Sequence, residues 1–156
     1  MEITTMINRD LIDLDLKSSD QLGVIDELAS LLVKQDRLDS KSSFIEGVLE
    51  REAHFTTGFG NGIAIPHCKS GTVKQASIVI GKMANGVDWK AMDDHDVHFV
   101  IMLAIPETEA GTTHLQILSK LSGKLIDEDF RNRLMSTNEK EDVLHLLNDC
   151  VIENNN

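Results

Sequence analysis

The chain has 156 residues, 41% hydrophobic and 26% charged, with 15 Lys+Arg against 26 Asp+Glu and a formal net charge of -11. That length suits one domain with a real core, and the acidity argues against a nucleic-acid binder, which needs a basic face to neutralise phosphates. No stretch approaches the roughly 20 apolar residues of a membrane span, and Met1-Glu2-Ile3-Thr4 has neither the basic start nor the apolar run of a signal peptide. The expectation is a cytoplasmic protein without direct membrane insertion. Cys68 and Cys150 show no CxxC spacing, and read as free thiols in a reducing compartment rather than a disulfide.

In chain order, the loose alternation Asp10-Leu11-Ile12-Asp13-Leu14-Asp15-Leu16 predicts a first strand. Ser18-x-x-Gln21 matches a capping box, and Leu22, Ile25, Leu28, Ala29, Leu32 and Val33 follow at helical spacing, predicting a helix over about 19–35. Asp39 or Ser40 caps a second helix that buries Phe44, Ile45, Val48 and Leu49 and ends near Arg51-Glu52. Three alternating glycines, Gly58, Gly60 and Gly62, form a permissive loop. Ile63-Ala64-Ile65 then reads as a short buried strand, stopped by Pro66, with His67 at its lip. Ala76–Gly81 is a β-branched strand, Asn85-Gly86 a turn, and Val87-Asp88-Trp89 a short strand beyond it. Val97–Ile105 is almost continuously apolar and reads as a central strand covered on both faces.

After Pro106, a polar loop leads to Thr112 or Thr113 as the cap of a helix carrying Leu115, Ile117, Leu118, Leu121, Leu125 and Ile126, extended after a break by Phe130, Leu134 and Met135. A last helix covers 139–147, and Glu153-Asn154-Asn155-Asn156 reads as a frayed tail. The whole is an α/β (α+β) domain over residues 1–152, a mixed, mostly parallel sheet with helices on both faces.

The chemistry-bearing residues lie around the glycines. A dinucleotide fingerprint requires GxGxxG followed by a helix, whereas here the spacing is GxGxG and a strand follows; the Gly-Lys-Ser/Thr of a phosphate-binding Walker loop is absent. His67 is otherwise unexplained. Imidazole has a free pKa near 6.5 and accepts and passes on groups at neutral pH, given a partner for its second ring nitrogen. His114 begins the helix after the central strand, where terminal amides hold phosphate oxygens. If the strands before the two histidines are parallel, their side chains can meet outside the carboxyl ends of the sheet. Arg51 closes the second helix, where a cation complements the dipole, and its guanidinium also fits a phosphoryl group. The segment from Asp93 to His98 fits no standard metal-ligand set and reads as an acidic turn. His54 and His145 read as surface groups, and Cys68 as a small packing residue.

Together Arg51-Glu52, Thr57-Gly58-x-Gly60-Asn61-Gly62-Ile63-Ala64-Ile65-Pro66-His67, Gly86-Val87-Asp88-Trp89 and His114-Leu115-Gln116-Ile117-Leu118-Ser119-Lys120-Leu121 closely resemble the IIA domain of the bacterial phosphoenolpyruvate-dependent sugar phosphotransferase system, fructose/mannitol type. The resemblance runs from the first helix to about Leu147. It implies a phosphoryl relay without cofactor or metal. His67 would accept the group on Nε2 from the phosphocarrier HPr and pass it to a cysteine of the cognate IIB domain or IIBC permease. His114 would help hold the group, with Arg51 as supporting charge. Pro-His-Cys departs from the glycine usual after the active histidine and has a counterpart in galactitol-type members. The alternative is a regulatory, nitrogen-type IIA protein, which shares the Gly-Asn-Gly-Ile-Ala-Ile-Pro-His run; Gly-Val-Asp-Trp and Leu-Ser-Lys-Leu favour transport. A relay of this kind predicts a shallow, partly apolar docking surface around residues 57–68 and 107–115.

Overall fold

The computed structural model describes residues 5–108 and 113–153, without the side chains of residues 113–114 and 150–153. A 3-10 turn, Arg9–Leu11, leads into a two-residue strand β1 (Ile12–Asp13), so the expected strand over residues 10–16 is much shorter. Side chains take over at this point: Asn8 caps the turn, and Asp13 accepts from the Asp15 N–H, which bends the chain out of the sheet. Helix α1 (Gln21–Lys34) starts two residues later than the Ser18 box implies. Its cap is Asp20, whose carboxylate accepts from Gly23 N–H at 2.7 Å. Val24, Ile25, Leu28, Ala29 and Leu32 face inward, while Leu22 and Val33 stay exposed. Helix α2 (Lys41–His54) is capped by Ser40, as the spacing predicts, and buries Phe44 and Val48.

Among the described residues, the sheet holds six strands: β1, β2 (Gly58–Gly60), β3 (Ile63–Ala64), β4 (His67–Ser70), β5 (Ser77–Val87) and β6 (Val97–Pro106). Their order is β1-β5-β6-β3-β2, with β4 also paired to β6. Pairings β1–β5, β3–β6 and β4–β6 are parallel; β2–β3 and β5–β6 are antiparallel. β6 lies between neighbours on both sides and is buried along nearly its whole length, which its unbroken apolar run anticipates.

Two expectations are corrected. Asn85-Gly86 makes no hairpin; β5 runs straight through it to Val87, with a register shift against β6 between Lys82 and Val87. The local turn signal loses to ladder pairing, and the extra residues are absorbed as an irregularity. Nor does Pro66 terminate pairing. β3 and β4 keep one register against β6, Ile63 opposite Phe99 and His67 opposite Leu103. Across the break the Pro66 carbonyl still accepts from Leu103 N–H at 3.0 Å. His67 therefore opens a strand rather than following the end of one.

Consecutive β5 residues show that both faces are covered. Gly81 backs onto Leu16 and Leu28 of the α1 side, and Lys82 reaches the other way to the Thr137 carbonyl at 2.9 Å. That second layer consists of α3 (Thr113–Leu125), α4 (Glu128–Ser136), capped by Asp127, and α5 (Lys140–Glu153). Residues 154–156 of the expected tail, and the expected cap Thr112, lie outside the described residues.

Candidate active site

The glycine loop is a tight connection between β2 and β3. Gly60, Asn61 and Gly62 take φ of 109°, 59° and 82° in succession, a left-handed run that side chains with a Cβ resist. Asp93 holds the turn from outside by accepting from Asn61 N–H at 2.9 Å, and the Gly62 carbonyl accepts from His98 N–H at 2.8 Å and Phe99 N–H at 3.1 Å. The Asp93 carboxyl sits below the ordinary carboxylate range because the Asn61 N–H, and after it the His95 N–H, bond its charged form. The acidic turn thus braces a backbone. Among the described residues, no group of three or more His, Cys, Asp or Glu is placed to hold a metal ion.

His67 is half-buried at the start of β4, and its Nδ1 lies 3.0 Å from the Ile65 carbonyl. A carbonyl only accepts, so Nδ1 carries the proton and the lone pair resides on Nε2. The partner for the second ring nitrogen, which the sequence left open among nearby groups, is therefore the backbone two residues upstream. An open cleft of about 390 Å³ adjoins the ring, lined by Gly47, Glu50, Arg51, His54, Cys68 and Lys69. Arg51, in the last turn of α2, donates from Nη1 to the Phe55 carbonyl at 2.9 Å and also lines the cleft. Both readings of Arg51, helix closure and charge beside the site, fit this placement.

His114 is the second residue of α3, and its side chain lies outside the described residues. The strands expected before the two histidines, β3 and β6, are parallel. His67, however, lies within the ladder, opposite Leu103 of β6, rather than beyond a strand end, and the chain passes from the carboxyl end of β6 toward α3. The sequence reading missed His54 and Lys69 as cleft residues. The signal was present in the helical spacing of Arg51 and His54, three residues apart and hence on one face. Cys68 is a buried, free thiol pushed from 9.0 up to about 11, by burial first and then by the Glu50 charge. It packs as the sequence predicts. Of the expected docking surface around residues 57–68 and 107–115, Leu115 presents an exposed apolar side chain. Phe55 (61% exposed) and Met92 are exposed outside those ranges, and Met92 N–H bonds the Gly58 carbonyl beside β2 at 3.3 Å. Residues 109–112 lie outside the described residues.

A mixed sheet clothed by helices thus places an imidazole at a strand start beside a cleft lined by Glu50, Arg51, His54 and Lys69. A sequence model described as phosphoenolpyruvate-dependent sugar phosphotransferase system, EIIA 2, matches residues 5–150, and the chain belongs to this family. It is 36% identical over 150 residues to the fructose-specific EIIA component of Haloferax volcanii, covering 96% of this chain and 97% of that one. It is 35% identical to the fructose-specific EIIABC component of Bacillus subtilis, covering 95% of this chain but 23% of that longer protein, so the chain spans about a quarter of it. Among solved structures, the nitrogen regulatory protein IIA-Ntr of Neisseria meningitidis superposes with a TM-score of 0.86 at 30% identity, covering 93% of this chain and 98% of that one. IIA mannitol of Escherichia coli, solved in complex with phosphorylated IIB mannitol, does so with a TM-score of 0.74 at 26% identity, covering 90% and 96%. Among the described residues, no helix is long and apolar enough to cross a membrane.

Proposed function

We propose that this chain is the phosphocarrier of a cytoplasmic sugar phosphotransferase system, accepting a phosphoryl group from HPr on Nε2 of His67 and delivering it to a cysteine of a IIB domain. The observation that carries the reading is the Nδ1 bond to the Ile65 carbonyl, which sets the tautomer with the lone pair on Nε2, beside a cleft lined by Glu50, Arg51, His54 and Lys69. In the first transfer the lone pair of Nε2 attacks phosphorus as the P–N bond of the donor's phosphohistidine breaks. The departing imidazole keeps that electron pair. In the second, a thiolate attacks, a P–S bond forms, and His67 recovers its lone pair. The first is a displacement between two nitrogens of similar donor strength, so positioning and charge neutralisation do the catalysis. Arg51 supplies guanidinium donors to the phosphoryl oxygens, and His114, at the start of α3, supplies the second set.

The fructose-specific relatives support transport over regulation. Incubation with phosphoenolpyruvate, enzyme I and HPr is expected to place one acid-labile phosphate on His67. His67→Ala is expected to take up none while melting like the parent; labelling of that variant would overturn the assignment. Passage of the label to a IIB domain distinguishes a transport carrier from a regulator that only binds partners.

A further inference from the structure

Next to the cleft lies a carboxylate that the transfer chemistry leaves unused. Glu52, half-buried in the last turn of α2, accepts from Thr57 N–H on Oε2 at 3.0 Å, and on Oε1 from the Thr57 hydroxyl and from the Trp89 indole N–H at 3.3 Å. Thr57 and Trp89 are 9% and 1% exposed, so these bonds form largely away from water, where charge-assisted bonds are strong. Three segments meet there: the end of α2, the entry to β2, and the loop after β5. Thr56 adds a second tie, with its hydroxyl donating to the Trp89 carbonyl at 2.9 Å and accepting from Gly58 N–H at 3.0 Å.

The same cluster leads to the reacting ring. Thr57 N–H donates to Glu52; the Thr57 carbonyl accepts from Ile65 N–H at 3.0 Å; the Ile65 carbonyl accepts from His67 Nδ1 at 3.0 Å. Glu52 is thus linked to the imidazole through two residues, and it directly follows Arg51 in the chain. We propose that Glu52 is a positioning residue for phosphoryl transfer, holding Thr57 and Ile65 so that His67 keeps its proton on Nδ1 and its Nε2 lone pair aligned with the cleft. This rests on the phosphocarrier reading of His67. The carboxylate does not touch the phosphoryl group; it sets the geometry of the group that does.

Glu52→Gln retains the shape but puts an amide donor where one acceptor oxygen stood, opposing either Thr57 N–H or the Thr57 and Trp89 donors. Two measurements on the full chain test the idea: initial rates of His67 phosphorylation over a range of phospho-HPr concentrations, and ring-nitrogen NMR of isotope-labelled histidine. The variant is expected to lose about tenfold to a hundredfold in kcat with KM for the donor little changed, and to show a mixed tautomer at His67. Glu52→Asp, which keeps the charge but shortens the reach, is expected to fall between. An unaltered tautomer, or a rate loss no larger than the loss of folded protein, would refute the positioning role. Should the parent chain take no phosphate from phospho-HPr, the carrier reading fails, yet the NMR comparison still tests whether Glu52 sets the ring.

Discussion

Gly47 and Cys68 fit one another as a pair. A Cβ built on Gly47 would stand 2.5 Å from the Cys68 sulfur, so α2 approaches β4 closely only because position 47 has no side chain. Gly47→Ala gains about 1 kcal/mol in helix propensity but overpacks the contact at a cost of about 1–3 kcal/mol. A net loss is expected in urea unfolding. Gly47→Ala with Cys68→Ala should recover part of that loss, a coupling of about 0.5–3 kcal/mol; additive losses would show that the contact is slack. The Cys68 thiol gives a pH prediction as well. Its folded pKa of about 11 lies above the ordinary 9.0, so above pH 9 the unfolded chain ionises first and stability falls as pH rises toward 11. Cys68→Ser should flatten that part of the melting-temperature profile. At this scale, the sequence showed that a small residue follows His67. The glycine that makes room for it, 21 positions upstream, was not visible, because pattern and spacing say nothing about which helix face meets which strand.

The element that positions the site is the β2–β3 connection. Asn61 sits at φ 59° between two left-handed glycines, so Asn61→Val should cost about 1–2 kcal/mol, read as a lower melting temperature. Asp93 clamps that turn, and its carboxyl is held below its ordinary 3.8 by the two N–H donors. A depressed carboxylate contributes stability above the unfolded value and loses it as pH falls through the folded one. Between pH 7 and acid conditions the parent should therefore lose melting temperature that Asp93→Asn, already lower at pH 7, does not lose. Equal acid profiles would remove Asp93 from the clamp. The glycine run was legible as a tight loop because φ preferences are set by nearest neighbours. Asn85-Gly86 misled for the complementary reason: its local turn preference is real, but β6 offered β5 a longer ladder.

The sheet as a whole brings the parts together. β3 and β4 run in one register along β6, interrupted only at Ile65 and Pro66, and that interruption lets the Ile65 carbonyl turn to His67 Nδ1. The chain carries a net charge of -11, and its cleft is lined by Arg51, His54 and Lys69 together with Glu50. If overall acidity steers a basic donor, the rate of phosphoryl acceptance should drop as salt rises to about 0.15 M, where screening acts over ~8 Å; a salt-independent rate would confine the electrostatics to the cleft. By itself the sequence determined the helices, the buried central strand, the tight glycine loop and the candidacy of His67, because periodicity, capping and steric preference act over a few residues. Only the tertiary structure decided which nitrogen of His67 bears the proton, that Glu52 stands behind it through Thr57 and Ile65, and that Cys68 fills the space Gly47 leaves. Those choices depend on where segments distant in the chain meet, and hydrogen-bond partners are assigned by that meeting rather than by spacing.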